Sequence, residues 1–371
     1  MFMNSASYAS PVLPDFAGGC LTGLIPALVE GDTSPAWIAA EVLEAQQIIL
    51  LVLDGLGWHQ LQERTHITPT LSGLSGGAIT TVAPSTTAAA LTSITTGKPP
   101  GEHGLVGYRM PINGKILNTL RWSTGQGDAQ KQIIPTEIQP CLTFGGQWPP
   151  VVTQKKFSHS GFTLAHMTNT RQVGYENRQG LVDGVVEQIN NGEPFVYAYW
   201  DRIDQMGHEF GFGDQYCEEL AACDKMITEL INRLNPGVAL LVTADHGQVE
   251  VGDRMLDLPP EVTKLIDGQS GEARFRWLHA RLGSSQELYA AATEAFADVA
   301  WVVTAEQTVR QGWFGPQVTE AARSRLGDIA LVARDPVGFR DAAEVMSIEL
   351  IGRHGSLTAE EMLVPAISVV T

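Results

Sequence analysis

The chain has 371 residues, a formal net charge of −17 and 44% apolar residues. That length suits one large α/β domain with an insertion, or two domains. The acidity excludes a general binder of nucleic-acid polymers, which needs a basic surface to displace counterions, but it does not exclude a phosphate substrate whose cations reverse the local field.

The N-terminal stretch MFMNSASYASPVLPDF has no basic leader and no long apolar run, and is expected to be an arm followed by helices up to residue 46. No run is long enough to cross a bilayer, so the reading is a cytoplasmic protein with no membrane partner. Next comes Ile48–Leu53, a continuous apolar run of strand length. Such a run predicts a central parallel strand buried on both faces. Asp54-Gly55 ends it, which places Asp54 at the carboxyl edge of a sheet, where α/β folds bind ligands. Pro84 then precedes Ser85, Thr86 and Thr87, and AAALTSITTG predicts a helix closed by Gly97. Residues 105–150, rich in Gly, Pro, Gln and Thr, read as a first insertion.

The strand design recurs twice. Phe195–Trp200 predicts a strand followed at once by DRIDQMGH, and Val238–Thr243 predicts one followed by ADHG. Asp204 and His208 are spaced i, i+4 and share one face of a helix, with Asp201 as an alternative to Asp204. An Asp after a strand is also a helix cap, and a lone His354 is also an ordinary loop histidine. What argues against those readings is that three strand ends deliver Asp or His. Residues 252–345 alternate helix and strand signals and read as a small α+β insertion, after which His354 and a final strand in LVPAISVVT close the chain. The four cysteines, Cys20, Cys141, Cys217 and Cys223, show no CxxC spacing and read as reduced packing residues.

The pieces LVLDGLG, APSTTAAALTSITTG, YWDRIDQMGH, VTADHG and RHGS together resemble the alkaline phosphatase superfamily, in its nucleotide pyrophosphatase/phosphodiesterase-like branch. The resemblance implies a three-layer α/β sandwich around a mostly parallel sheet. Its catalytic core would be residues 1–251 with 346–371, and 252–345 would be an inserted subdomain and possible cap. It implies two divalent cations, zinc first and manganese second: one held by Asp204, His208 and His354, the other by Asp54, Asp245 and His246. Thr87 would be the nucleophile beside the second ion, forming a phosphothreonine, with Thr86 next in line and Ser85 third.

One departure stands out. Diesterase members carry Pro-Asn-His shortly after the nucleophile, and this chain has Ala90 where the phosphate-binding Asn falls. The expected reaction is hydrolysis of a small-molecule phosphodiester or pyrophosphate. The alternatives are a phosphomonoesterase, phosphonate hydrolase or phosphomutase, and then a binding module that kept the fold without catalysis. A sulfatase is disfavoured, since neither C-x-P-x-R nor S-x-P-x-R surrounds the nucleophile. His59, His103, His159, His166 and His279 have no motif support, and Tyr108, Arg109 and Trp122 are candidates for lining a pocket. The sequence leaves the oligomeric state open.

Overall fold

A computed structural model describes residues 10–31, 33–344 and 349–371. The first nine residues of the expected arm, and the 345/346 boundary of the expected insertion, lie outside the described residues. In chain order the strands are β1 (Gln47–Leu53), β2 (Ser75–Thr80), β3 (Arg109–Ile112), β4 (Lys115–Asn118), β5 (Pro150–Gln154), β6 (Arg171–Tyr175), β7 (Phe195–Trp200) and β8 (Val238–Thr243). They continue as β9 (Val249–Glu250), β10 (Met255–Leu256), β11 (Ile266–Glu272), β12 (Phe275–Ala280), β13 (Ala300–Thr304), β14 (Ile329–Ala333), β15 (Gly338–Phe339), β16 (Gly352–Arg353) and β17 (Leu363–Val370).

Seven of them form the central sheet, in the order β2-β17-β8-β1-β7-β5-β6. Only β17 runs against its neighbours, so the sheet is mostly parallel, as the apolar runs predict. Every residue of β7 and β8, and all but the first of β1, is buried. Successive side chains point to opposite faces, so complete burial means that both faces are covered. The helix Arg178–Asn190 packs on β5, β6 and β7, and Ala40–Glu44 packs on β8 and β17.

Within the sheet, β1 lies between β7 and β8, paired Leu53↔Trp200 and Val52↔Thr243. Three parallel strands therefore end side by side, and the residues just past them share one edge.

A second, four-stranded antiparallel sheet, β11-β12-β14-β13, lies in the 252–345 segment. One side of it has its own apolar cluster, including Leu278, Leu288, Phe296 and Leu331. The other side, with Phe275, Trp277 and Val332, merges into the main core, together with Trp313 and Phe314 from the same segment. Arg274 and Glu361 lock the two parts together through a buried two-point pair, Nε–Oε1 2.8 Å and Nη2–Oε2 2.7 Å. Among the described residues, no helix is long and apolar enough to cross a membrane.

Candidate metal centre

The shared edge of β1, β7 and β8 gathers the predicted ligands. Asp54 follows β1 directly. Gly55 turns the chain there with φ +76°, and a Cβ on it would lie 2.8 Å from the Asp204 backbone. Only glycine tolerates both the left-handed angle and that approach. β7 leads into the helix Arg202–Phe210, which carries Asp204 and His208 on one face, Oδ2 to Nε2 3.3 Å. Asp245 and His246 follow β8 in an irregular loop.

His354 arrives by another route. β16 pairs with β9, Arg353 opposite Val249, and a bridge between Gly355 and Ser85 ties the same loop to the segment ahead of Thr87. Residues 270 apart in sequence are thereby brought next to each other. His354 stacks on His246 with ring centroids 3.6 Å apart.

All three imidazoles are oriented by the backbone. Nδ1 of His208 lies 2.7 Å from the Gly352 carbonyl, that of His354 2.9 Å from Ser85 O, and that of His246 3.1 Å from Gly247 O. A carbonyl only accepts, so each Nδ1 carries a proton; at His208 burial is outweighed by Asp204, which raises the pKa and favours a second proton on Nε2, while Nε2 of His246 and His354 keeps a lone pair. That is the form in which histidine binds a metal, with its outer nitrogen fixed by a partner.

The carboxylates complete the arrangement. Asp245 Oδ1 accepts from the Gly55 and His246 amides at 3.2 and 3.0 Å. Tyr199 donates its hydroxyl to Asp54 Oδ2, and Gln248 donates to Asp204 Oδ1. Asp54 Oδ1 and Asp245 Oδ2 are buried without a hydrogen-bond partner. Both approach His246 Nε2, at 3.6 and 3.5 Å. Two orphaned carboxylate oxygens and an imidazole lone pair converging in the interior are poor packing and a good cation site.

The electrostatics agree. Burial first, then the nearby Asp245 and Asp204, push the Asp54 carboxyl well above its usual value. Burial also raises Asp245, against His246 and with help from Asp204. Burial would raise Asp204 too, but His208, His354 and His246 overcome it and hold that carboxyl low. Burial and the neighbouring His246 keep His354 neutral. Such a crowd of acids ionises together only when a cation lies among them.

The groups of ligand atoms within 4.8 Å of one another are Asp54-Asp245-His246 and Asp204-His246-His354. The first is the triad expected from sequence. The second has His246 where His208 was expected, because the His246 ring stands between both groups and stacks on His354. His208 remains beside them, bonded to Asp204.

Thr87 opens the helix Thr87–Thr96, all ten residues of which are buried. Its Oγ1 is 3.1 Å from His246 Nε2. Thr86 occupies the N-cap position but makes no side-chain capping bond. Ser85 is engaged elsewhere, donating to the Ser356 carbonyl at 2.6 Å. Asp201 is likewise occupied, accepting from Gln154 and, at 3.1 Å, from Lys156.

A cavity of about 380 Å³ opens on Asp54, Thr87, Asp204 and His208, with an apolar wall that includes Leu91, Phe157, Phe162 and Met167. A second, of about 240 Å³, opens on Thr87, Asp204, His208 and His354, with Tyr108 and Glu272 in its wall. Burial pushes the Glu272 carboxyl up to about 8. Of the other pocket candidates, Arg109 is paired with Asp341 at 2.5 Å, and Trp122 is fully buried with Nε1 donating to Ile133 O. Sequence reasoning missed Tyr199, Gln248 and Glu272. Gln248 had a faint signal, three residues past Asp245. The other two had none, since a Tyr in a buried strand and a Glu in a segment without motifs look ordinary.

A family model for type I phosphodiesterase / nucleotide pyrophosphatase matches residues 48–357. Among curated proteins, the bis(5'-adenosyl)-triphosphatase ENPP4 of Bos taurus is 24% identical over 196 residues, 47% of this chain and 42% of that protein. The human protein of the same name is 26% identical over 111 residues, 27% of this chain and 24% of its own length. The matched part thus spans less than half the length of these relatives. Among solved structures, murine ectonucleotide pyrophosphatase / phosphodiesterase 5 superposes with a TM-score of 0.63 at 18% identity, covering 86% of this chain and 87% of that one. Phosphonoacetate hydrolase from Sinorhizobium meliloti, in complex with phosphonoformate, gives 0.65 at 16% identity, covering 87% and 90%.

Proposed function

The chain belongs to the type I phosphodiesterase / nucleotide pyrophosphatase family of the alkaline phosphatase superfamily, and from that premise we propose that it hydrolyses small-molecule phosphodiesters or pyrophosphates at two divalent cations. The observation that carries this reading is the convergence of Asp54 Oδ1, Asp245 Oδ2 and His246 Nε2 beside the Thr87 hydroxyl. Asp54, Asp245 and His246 would hold one ion, and Asp204, His208 and His354 the other. Mixed carboxylate and imidazole donors favour zinc, with manganese second. When bound, the cations supply charge neutralisation and lower the pKa of an adjacent hydroxyl.

This chain's residues do the rest. Thr87 Oγ1 gives up its proton to solvent and attacks phosphorus, the bond to the leaving oxygen breaks and that oxygen takes a proton from water, and a second water later cleaves the phosphothreonine, restoring the hydroxyl and releasing the phosphoryl product. Free amides at the start of Thr87–Thr96 face the phosphoryl oxygens. Tyr199 and Gln248 fix the carboxylates, and the three backbone carbonyls fix the imidazoles. The apolar wall of the larger cavity holds one ester group. Residues 252–345 act as an inserted subdomain that shapes substrate choice.

A second reading rests on two observations. Ala90, fully buried, offers no side-chain donor to the phosphoryl group, and the phosphonoacetate hydrolase likeness fits a small phosphonate or monoester instead. The test is a panel on zinc-loaded protein: bis-aryl phosphate, mono-aryl phosphate and an aryl phosphonate. The first reading expects the diester to be turned over fastest and all activity to vanish on chelation. A monoester or phosphonate preference of about tenfold or more would replace it. Activity that survives complete chelation would sink both readings.

A further inference from the structure

The two cavities at the metal centre share Thr87, Asp204, His208, Leu120 and Leu350 but differ in character. The larger adds aromatic and aliphatic side chains. The smaller adds Tyr108, Glu272, Glu344 and Arg353, and it shares Ala273, Glu344 and Arg353 with the lining of a space of about 600 Å³. That space is lined by both signs of charge, with Arg276 and Arg340 beside Asp253, Asp257 and Asp341.

Glu272 is held in place by two glycines. It ends β11, where Gly271 makes a tight turn at φ +76° and a Cβ would collide with the Phe275 carbonyl oxygen. Gly355, beside His354, leaves room for it: a Cβ there would lie 2.7 Å from Glu272 Cγ. Glu272 is 6% exposed as a residue, and its Oε1 has no hydrogen-bond partner. Oε2 is 4.0 Å from His354 Nδ1, beyond hydrogen-bond reach. Arg353 lines both polar cavities, and its Nε is also buried without a partner. Glu272 and Arg353 thus line one cavity, and each keeps a buried polar atom that no protein group matches, which costs free energy.

We infer that Glu272 and Arg353 form a subsite for an uncharged, hydroxyl-rich ester group of the substrate, such as a polyol or a sugar. A hydroxyl donates to the carboxyl and accepts from the guanidinium, so one kind of group satisfies both. An anion would face Glu344, which lines the same cavity. A cation would face Arg353. An apolar group would leave both atoms unmatched. This inference rests on the hydrolase reading and adds the identity of one ester arm.

The test uses metal-loaded protein and phosphodiesters that share one aryl group, a glyceryl and a propyl ester with a carboxyethyl ester as the anionic comparison. The glyceryl and propyl groups differ by two hydroxyls. A site built for hydroxyls prefers the glyceryl ester by about tenfold or more in kcat/KM, carried mainly by KM. Glu272→Met and Arg353→Met each reduce that ratio to about threefold or less, and Glu272→Gln retains part of it. A wild-type ratio near one overturns the inference without any variant, so misfolding of a variant cannot shelter it. A ratio untouched by both replacements overturns it as well, as does a stronger preference for a carboxyethyl group over glyceryl. If the loaded wild type cleaves none of these diesters, the hydrolase reading itself has failed, which is a separate result.

Discussion

The two sheets of this molecule divide the labour unequally. All seven predicted site residues lie outside the four-stranded antiparallel sheet, and five of them lie in the segments that follow β1, β7 and β8 of the seven-stranded one. The cause is geometric. Neighbouring parallel strands end at the same edge, so side chains just past their ends pool into one place. Neighbouring antiparallel strands end at opposite edges, and their ends do not pool. The second sheet therefore contributes to the centre by reach rather than by register. Its one contribution is Glu272, at the tip of a hairpin.

The sharpest test of that division is Thr87→Ala. It should lower turnover of an activated aryl diester by about a thousandfold or more. Metal content, measured on the purified variant, should stay at the wild-type level, because the carboxylates and imidazoles are untouched. A comparable loss from Thr86→Ala with Thr87→Ala still active would move the nucleophile by one residue.

The second test asks how firmly the two sheets are joined. Arg274→Met removes the cation from a fully buried pair and leaves Glu361 charged in the interior. Breaking one side of such a pair costs about 3–5 kcal/mol. Denaturant unfolding of the variant should show a loss of that size. A loss below about 1 kcal/mol would mean that the second sheet is a loosely held appendage.

The same division explains what the sequence could reveal. The runs Ile48–Leu53, Phe195–Trp200 and Val238–Thr243 are buried on both faces, so their apolar continuity is a direct imprint of the central sheet. Asp54 and Asp245 were legible because a charged residue at the end of such a run has few structural reasons to be there. His354 was legible only through its resemblance to a known motif, since β16, which delivers it, is two residues long. The grouping around His246 was not legible, because it depends on a ring stack between His246 and His354, far apart along the chain. Tyr199 was hidden for the opposite reason: in a wholly buried strand, its hydroxyl looks like one more packing residue. Glu272 belongs to a segment whose fold depends on where it docks, and no pattern within the segment encodes that.

The smallest expected effect tests the hidden layer. Tyr199 gives its hydroxyl hydrogen to Asp54 Oδ2, which leaves Oδ1 as the oxygen facing His246 Nε2. Tyr199→Phe keeps the ring and its packing against Phe157 while freeing Oδ2. The carboxylate then loses the contact that selects its rotation, and metal affinity should fall by about 10–100-fold, or roughly 1.4–2.7 kcal/mol. Competition with a chelator of known affinity reads that change directly, and restored turnover at saturating metal would show that the loss lies in binding. The comparison between the sheets supplies the control. Glu272→Gln, on the antiparallel side, should shift the same metal titration far less than Tyr199→Phe does. If Glu272→Gln shifted it more, the second sheet would be part of the metal site, and the division between holding the ions and choosing the substrate would not stand.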